Sequence, residues 1–272
     1  MNIQAADRNQ TMKLAITGKG GVGKTTLTSL LAYAYASRGF RVLAIDADPS
    51  PCLGQALGMP HELLEELTPI SKMDELIYER TGAQPGTTGG FFKLNPRVDD
   101  LPDRFAAVHR SIKMLELGAV DLGGSGCICP ESAILRSLIT HILLRRDEVV
   151  LLDMYAGVEH LGRATADAVD AMLIVVEPTA RSLGTAQQIK ELATDIKLEK
   201  LFIVGSKVQE DADRDFITQH SPGLPVLGFL PDDPLVRQAD RQGAAVYDLA
   251  PDLAHAADEI IDGLETILEP AG

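Results

Sequence analysis

The sequence predicts an α/β fold, a doubly wound and mostly parallel sheet flanked by helices, from three features. Short apolar runs alternate with longer helical patterns along most of the chain, as successive strand–helix units do. Several runs are continuously apolar rather than alternating, which is how strands buried on both faces read. A glycine-rich loop, Gly18–Thr25, stands between the first apolar run and the first helical stretch, where a phosphate-binding loop belongs.

Taken in order, the strands are expected at Lys13–Thr17 (KLAIT), Arg41–Asp46 (RVLAID), Ile112–Leu117 (IKMLEL), Val149–Asp153 (VVLLD), Ala171–Val176 (AMLIVV), Leu201–Ser206 (LFIVGS) and Pro225–Leu230 (PVLGFL). Helices are expected at Lys24–Arg38, stopped by Gly39, at Glu131–Arg145, at Arg181–Ile196 and at Ala254–Leu268. Two segments interrupt the alternation: the turn-rich Gly82–Gly90 (GAQPGTTGG) and the glycine-rich Gly123–Pro130 (GGSGCICP). Loops held by a rigid sheet are where function concentrates. Residues 1–11 have no apolar stretch of signal-peptide type and are expected to form a loose tail. No boundary or repeat divides residues 12–272, which are read as a single P-loop NTPase domain.

Composition narrows the function. The 272 residues carry 25 Lys and Arg against 39 Asp and Glu, a net charge of −14. That balance argues against nucleic acid as a partner, because phosphate backbones need a basic surface. No apolar run approaches a membrane span. From Ala250 onward there are six acids and no Lys or Arg, so a basic amphipathic membrane-binding helix is excluded there. Three cysteines are too few for a disulfide framework, and a reducing, cytoplasmic setting is expected.

The loop Gly18-Lys19-Gly20-Gly21-Val22-Gly23-Lys24-Thr25 fits GxxxxGK[ST]. Its glycines allow backbone N–H groups to converge on phosphate oxygens at the positive end of the next helix. Lys24 is expected on the β- and γ-phosphates, and the Thr25 hydroxyl on Mg²⁺, with Thr26 following in the same turn. Two strand ends supply carboxylates, Asp46 and Asp48 after the second strand and Asp153 after the fourth. Strand ends beside a phosphate loop line the ligand crevice of an open α/β sheet. Asp153 is expected to hold Mg²⁺ through water, although either strand end alone is also explained as a turn former. The strand end Ser206-Lys207-Val208-Gln209 lacks the acid with which GTPases read guanine, so ATP or ADP is expected, with Ser206, Lys207 and Pro231 near the base. Asp232 and Asp233 are explained equally by a base-side loop and by a turn.

The pattern GKGGVGKT resembles the deviant phosphate loop of the MinD/ParA/ArsA/nitrogenase-iron-protein class of ATPases. The resemblance implies that Lys19 reaches across a dimer to the partner's nucleotide, that Asp48 positions the attacking water, and that the Gly157 amide meets the γ-phosphate. Read by itself, Lys19 is equally an exposed loop charge. Asp46 is read as structural or as outer shell to the metal.

Cys127-Ile128-Cys129 separates this chain from others with that loop. A CxC is a weak signal alone, and buried cysteines are commonly inert. Here the pair sits in a glycine-rich turn. A tetrahedral thiolate site wants four sulfurs, which one chain cannot supply, but two chains around a two-fold axis can. Such a site suits Zn²⁺ or, in a square plane, Ni²⁺. Cys52 is expected to be a small packed side chain.

With the blocks GKGGVGKTT (18–26), AIDADP (44–49), GGSGCICPE (123–131), LLDMYAGVEHLGRAT (151–165) and VVEPTARSL (175–183), the chain resembles the CooC-type ATPases from about residue 12 to about residue 240. The resemblance implies a homodimer formed with ATP or metal, with nickel held by the paired cysteines and delivered to a client, carbon monoxide dehydrogenase or acetyl-CoA synthase. Glu159, His160 and Arg163 are read as a switch-helix surface, and His141 as structural. Two other readings are a passive nickel- or zinc-binding dimer whose assembly nucleotide controls, and a MinD/ParA-like partitioning ATPase.

Overall fold

The computed structural model describes residues 12–86, 91–118, 129–145, 148–155 and 169–268. Among the described residues, eight strands form one sheet: β1 (Lys13–Gly18), β2 (Val42–Ala47), β3 (Ala107–His109), β4 (Ile112–Glu116), β5 (Val149–Met154), β6 (Ala171–Val176), β7 (Leu201–Val208) and β8 (Val226–Pro231). Their order is β3-β4-β2-β5-β1-β6-β7-β8. Every pairing is parallel except β3 with β4. The chain runs outward from central β1 to one edge, returns to place β5 beside it, and crosses to β6 on the other side. The C-terminal end of β1 is therefore a topological switch point, where such sheets bind ligands.

The helices are α1 (Lys24–Ser37), α2 (Leu53–Ala56), α3 (His61–Glu66), α4 (Asp74–Thr81), α5 (Leu101–Phe105), α6 (Pro130–Arg145), α7 (Ala180–Asp195), α8 (Asp211–His220), α9 (Leu235–Gln242), α10 (Val246–Leu249) and α11 (Pro251–Leu268). The central strands are buried along their whole length. Leu14, Ile16, Leu151 and Leu173 face α1 and α11 across one core, whereas Ala15, Val150, Leu152 and Ile174 face α6 and α7 across the other. Side chains alternate along a strand, so two covered faces require uninterrupted apolar runs, as the sequence has them.

The seven strands read from the sequence are all present, with ends shifted by no more than two residues. Of the edge hairpin β3–β4, only β4 was visible in the sequence; β3 was not. The hairpin's turn residues Arg110 and Ser111 both hold left-handed φ, 47° and 69°, without the glycine or asparagine that usually marks such a turn. Helices α2 to α5 and α8 to α10 were also unread. They are four to ten residues long, too short for a 3.6-residue period to show clearly. The tail 1–11 lies outside the described residues.

Candidate functional site

Strand β1 delivers the phosphate loop by ending at Gly18. A Cβ there would stand 2.4 Å from the Val175 carbonyl oxygen, so only glycine lets the loop leave between β1 and β6. Gly23 sits at the N-cap of α1 with φ 102°, and a Cβ on it would come 3.0 Å from Ser206 Oγ. Helix α1 begins at Lys24, placing the N–H ends of its first turn at the loop. Lys24 is buried, its Nζ turned back to donate to the Lys19 carbonyl at 3.4 Å. Val22 N donates to that same carbonyl. Lys19 is half-buried, while Gly20 and Gly21 are exposed at the tip.

Behind the loop, register brings the acids together. Asp46 pairs with Asp153 across β2 and β5, and Ile16 of β1 pairs with Asp153 on the other side. Thr25 Oγ1 donates to Asp153 Oδ2 at 2.6 Å. Asp153 is 1% exposed, and its Oδ1 has no hydrogen-bond partner among the described residues. Burial, with the charges of Asp46 and Asp48 added, pushes its carboxyl up to about 7, against the Thr25 hydroxyl and Lys24. Asp46 accepts three backbone N–H bonds, from Asp48 at 3.1 Å and from Cys52 and Leu53 at 2.9 Å each. It therefore holds the turn after β2. Burial raises its carboxyl despite those bonds. Asp48 is half-buried on that turn, its Oδ1 accepting the Ser50 N–H at 2.9 Å. Thr17 Oγ1 donates to the Tyr155 carbonyl at 3.1 Å, tying the end of β5 to β1. Gly157, Glu159, His160 and Arg163 lie outside the described residues.

A cavity of about 370 Å³ opens beside the loop, lined by Gly23, Thr26, Ser206, Lys207, Pro231 and Arg237, among others. Ser206, Lys207 and Pro231 are thus brought to one cavity. Lys207 does a second task there. In left-handed conformation (φ 57°), it donates from Nζ to the Gly21 carbonyl at 2.6 Å and pairs with Glu177 at 3.4 Å. Asp233 Oδ1 accepts the Leu235 N–H at 2.8 Å, and Asp232 Oδ2 accepts from Gln209 Nε2 at 2.9 Å. Both acids shape the turn into α9 while lining the cavity.

At the other loop, Cys129 precedes α6. Its Sγ accepts from Ser132 N at 3.4 Å and lies 3.0 Å from Ser132 Oγ, and its own N–H donates to that hydroxyl at 3.3 Å. Cys127 lies outside the described residues. Among the described residues, no group of three or more His, Cys, Asp and Glu side chains is arranged to hold a metal within one chain. No helix of the described residues is long and apolar enough to cross a membrane.

The family model of the CobQ/CobB/MinD/ParA nucleotide binding domain matches residues 13–246. The chain belongs to this family. The carbon monoxide dehydrogenase accessory protein CooC of Rhodospirillum rubrum is 50% identical over 248 residues, 90% of this chain and 94% of that protein. An uncharacterized ATP-binding protein of Methanocaldococcus jannaschii is 47% identical over 238 residues, 86% of this chain and 91% of that one. The solved structure of the MinD cell division protein of Aquifex aeolicus shares the fold, with a TM-score of 0.65 at 20% identity over 96% of this chain and 98% of that one.

Within this MinD/ParA-family frame, two residues at the site escaped the sequence reading. Arg237, on α9, lines the cavity; the turn signal Pro231–Pro234 marked its loop but not the helix behind it. Cys52 is not a packed side chain. It is exposed, and its Sγ donates toward Thr25 Oγ1 at 3.6 Å. Its N–H is committed to Asp46, which turns its side chain toward the phosphate loop instead of the core. Burial of the sulfur, with the nearby acids, raises the Cys52 thiol.

Proposed function

We propose that the chain is a cytoplasmic, ATP-hydrolysing metallochaperone that works as a homodimer and supports nickel insertion into carbon monoxide dehydrogenase or acetyl-CoA synthase. One observation carries the reading: a phosphate loop backed by the Thr25–Asp153 pair, in a chain half identical to a carbon monoxide dehydrogenase accessory protein.

The residues present fit a hard divalent cation. Among the described residues, Asp153 keeps one buried carboxylate oxygen without a partner while the other holds the Thr25 hydroxyl, which suits a carboxylate that orders a water on Mg²⁺ and a hydroxyl that binds it directly. Held by Thr25 and, through water, by Asp153, Mg²⁺ would offset the charge that develops on the phosphate oxygens. The chain's own groups do the rest. The loop N–H groups and Lys24 cradle the β- and γ-phosphates, Lys24 leaving its bond to the Lys19 carbonyl for them. Asp48 orients the attacking water, and Lys19 adds positive charge from the second subunit. Ser206, Thr26 and Pro231 bound the adenine, and Lys207 fixes the end of β7 to the loop. Nickel is the cargo, held by Cys127 and Cys129 of two chains, a site in which Zn²⁺ also fits.

The deciding experiment measures steady ATP turnover with and without the metal-free client enzyme. Stimulation by the client, abolished in Thr25→Ala, supports the chaperone. Client nickel loading that proceeds equally well in Thr25→Ala would reduce the chain to a passive metal-binding dimer.

A further inference from the structure

Cys52 is the thiol that nickel carriage leaves unused, and it stands beside Thr25, the hydroxyl assigned to the nucleotide's cation. Its Sγ lies 3.6 Å from Thr25 Oγ1, on an exposed residue. It is held there from behind, because its N–H donates to Asp46 Oδ2 at 2.9 Å and it occupies the N-cap of α2. A second observation points to the same spot. Asp153, 1% exposed, sends Oδ2 to the same Thr25 hydroxyl and leaves Oδ1 without a partner among the described residues. A soft and a hard donor thus converge on one hydroxyl.

The separation decides what fits between them. A tetrahedral zinc-sized ion, with a sulfur at about 2.3 Å and an oxygen at about 2.1 Å, sets those two ligands about 3.6 Å apart. That is the observed Sγ–Oγ1 distance. Octahedral Mg²⁺ sets adjacent oxygens closer, about 3.0 Å, and does not seek sulfur. We infer that Cys52 and Thr25 form two adjacent corners of a site for a thiophilic divalent cation (Zn²⁺, Co²⁺ or Cd²⁺) inside the nucleotide pocket, completed by phosphate oxygens and water. The inference rests on the nucleotide reading of the phosphate loop. On coordination the thiol releases its proton to solvent and binds as thiolate, with no change of oxidation state. An ion held there replaces Mg²⁺ at Thr25 and ties the turn after β2 to the start of α1. Thiophilic cations therefore inhibit turnover in competition with Mg²⁺, so a carrier of thiophilic metal senses its own cargo class at its motor.

The test uses the full chain with Cys127→Ser and Cys129→Ser, which leaves Cys52 as its one thiol. ADP is bound first, and Co²⁺ is then titrated while sulfur-to-cobalt charge-transfer absorption is recorded. The expected result is a band that saturates at one Co²⁺ per chain, is bleached by Zn²⁺, and is absent after Cys52→Ser or Cys52→Ala, both of which keep Mg²⁺-dependent ADP binding. ADP binding without such a band would overturn the thiolate site alone. Failure of the parent chain to bind ADP would overturn the nucleotide reading and this site with it.

Discussion

Asp153 shows how one residue ties stability to ligand binding. Its carboxyl, pushed up to about 7 by burial in the chain without nucleotide, would titrate near 3.8 when unfolded. Between those values the folded state holds a proton that the unfolded state has lost. The contribution to stability is thus full below the unfolded value and disappears as pH rises through about 7. Above that, the folded chain carries a buried carboxylate with one bare oxygen. Asp153→Asn removes both the proton and the charge, so the variant is expected to be the more stable at about pH 8, with the difference fading toward about pH 5. Thermal unfolding of the two chains without nucleotide or metal checks this, and parallel pH curves would refute it. A divalent cation substitutes for the same proton, so Mg²⁺-dependent nucleotide affinity is expected to fall as pH drops below 7 in the parent and to be weak throughout in Asp153→Asn. Asp48 behaves differently, being half-buried and already engaged with the Ser50 N–H. Asp48→Asn is expected to bind ATP as the parent does and to lose turnover by about 100-fold, on the scale of a removed transition-state contact. Parent-like turnover would assign the water to another residue.

At the scale of elements, the loop depends on how closely β1 and β6 approach. Gly18 and Val175 are register partners, and a methyl group on Gly18 would collide with the Val175 carbonyl. Gly18→Ala must part the two strand ends where the loop begins. The expected cost is about 2–4 kcal/mol, a fall in Tm of roughly 5 °C for a chain of this size, and ADP binding should suffer more than stability does. A variant with unchanged ADP affinity would show that the strand ends can part without moving the loop. Elements of this kind were legible in the sequence because one physical demand produced one pattern: strands covered on both faces need continuous apolar runs, and a loop that leaves between two strands needs glycine. What was illegible lacked such a local signature. The β3–β4 turn uses Arg110 and Ser111 where glycine would announce it, and α2 to α5 are set by packing over one or two turns. Cys52 was misread because nothing local distinguishes a packed thiol from one turned outward. Only the Asp46 carboxylate, six residues back and engaged with the Cys52 N–H, decides its direction.

For the whole molecule, the proposed dimer requires two different crossings of one axis, by charge at Lys19 and by sulfur at Cys127 and Cys129. The chain itself carries net charge −14, so two copies repel until cations are placed between them. A nucleotide brought with Mg²⁺ and a metal held by thiolates both meet that need, and they should assist each other's binding, since each favours the dimer. Lys19→Ala separates the two crossings. Its own loop, Lys24 and Thr25 still cradle phosphates, so ATP binding should persist while sedimentation with ATP and Mg²⁺ shows weaker dimerisation. An unchanged dimerisation constant with unchanged turnover would remove Lys19 from the assembly. The metal follows from counting sulfur. If two chains share four thiolates, nickel or zinc added without nucleotide binds at one ion per two chains, and Cys127→Ala or Cys129→Ala alone leaves two thiolates and loses tight binding. Cys52→Ala leaves this stoichiometry intact because its thiol belongs to the nucleotide pocket. Affinity falls as pH drops, because protons compete for thiolate. With nickel a sulfur-to-metal absorption appears, whereas with zinc the site is tetrahedral and colourless. One ion per chain, or tight binding that survives in the Cys127→Ala/Cys129→Ala chain, would place the cargo elsewhere and separate metal carriage from the symmetry of the dimer.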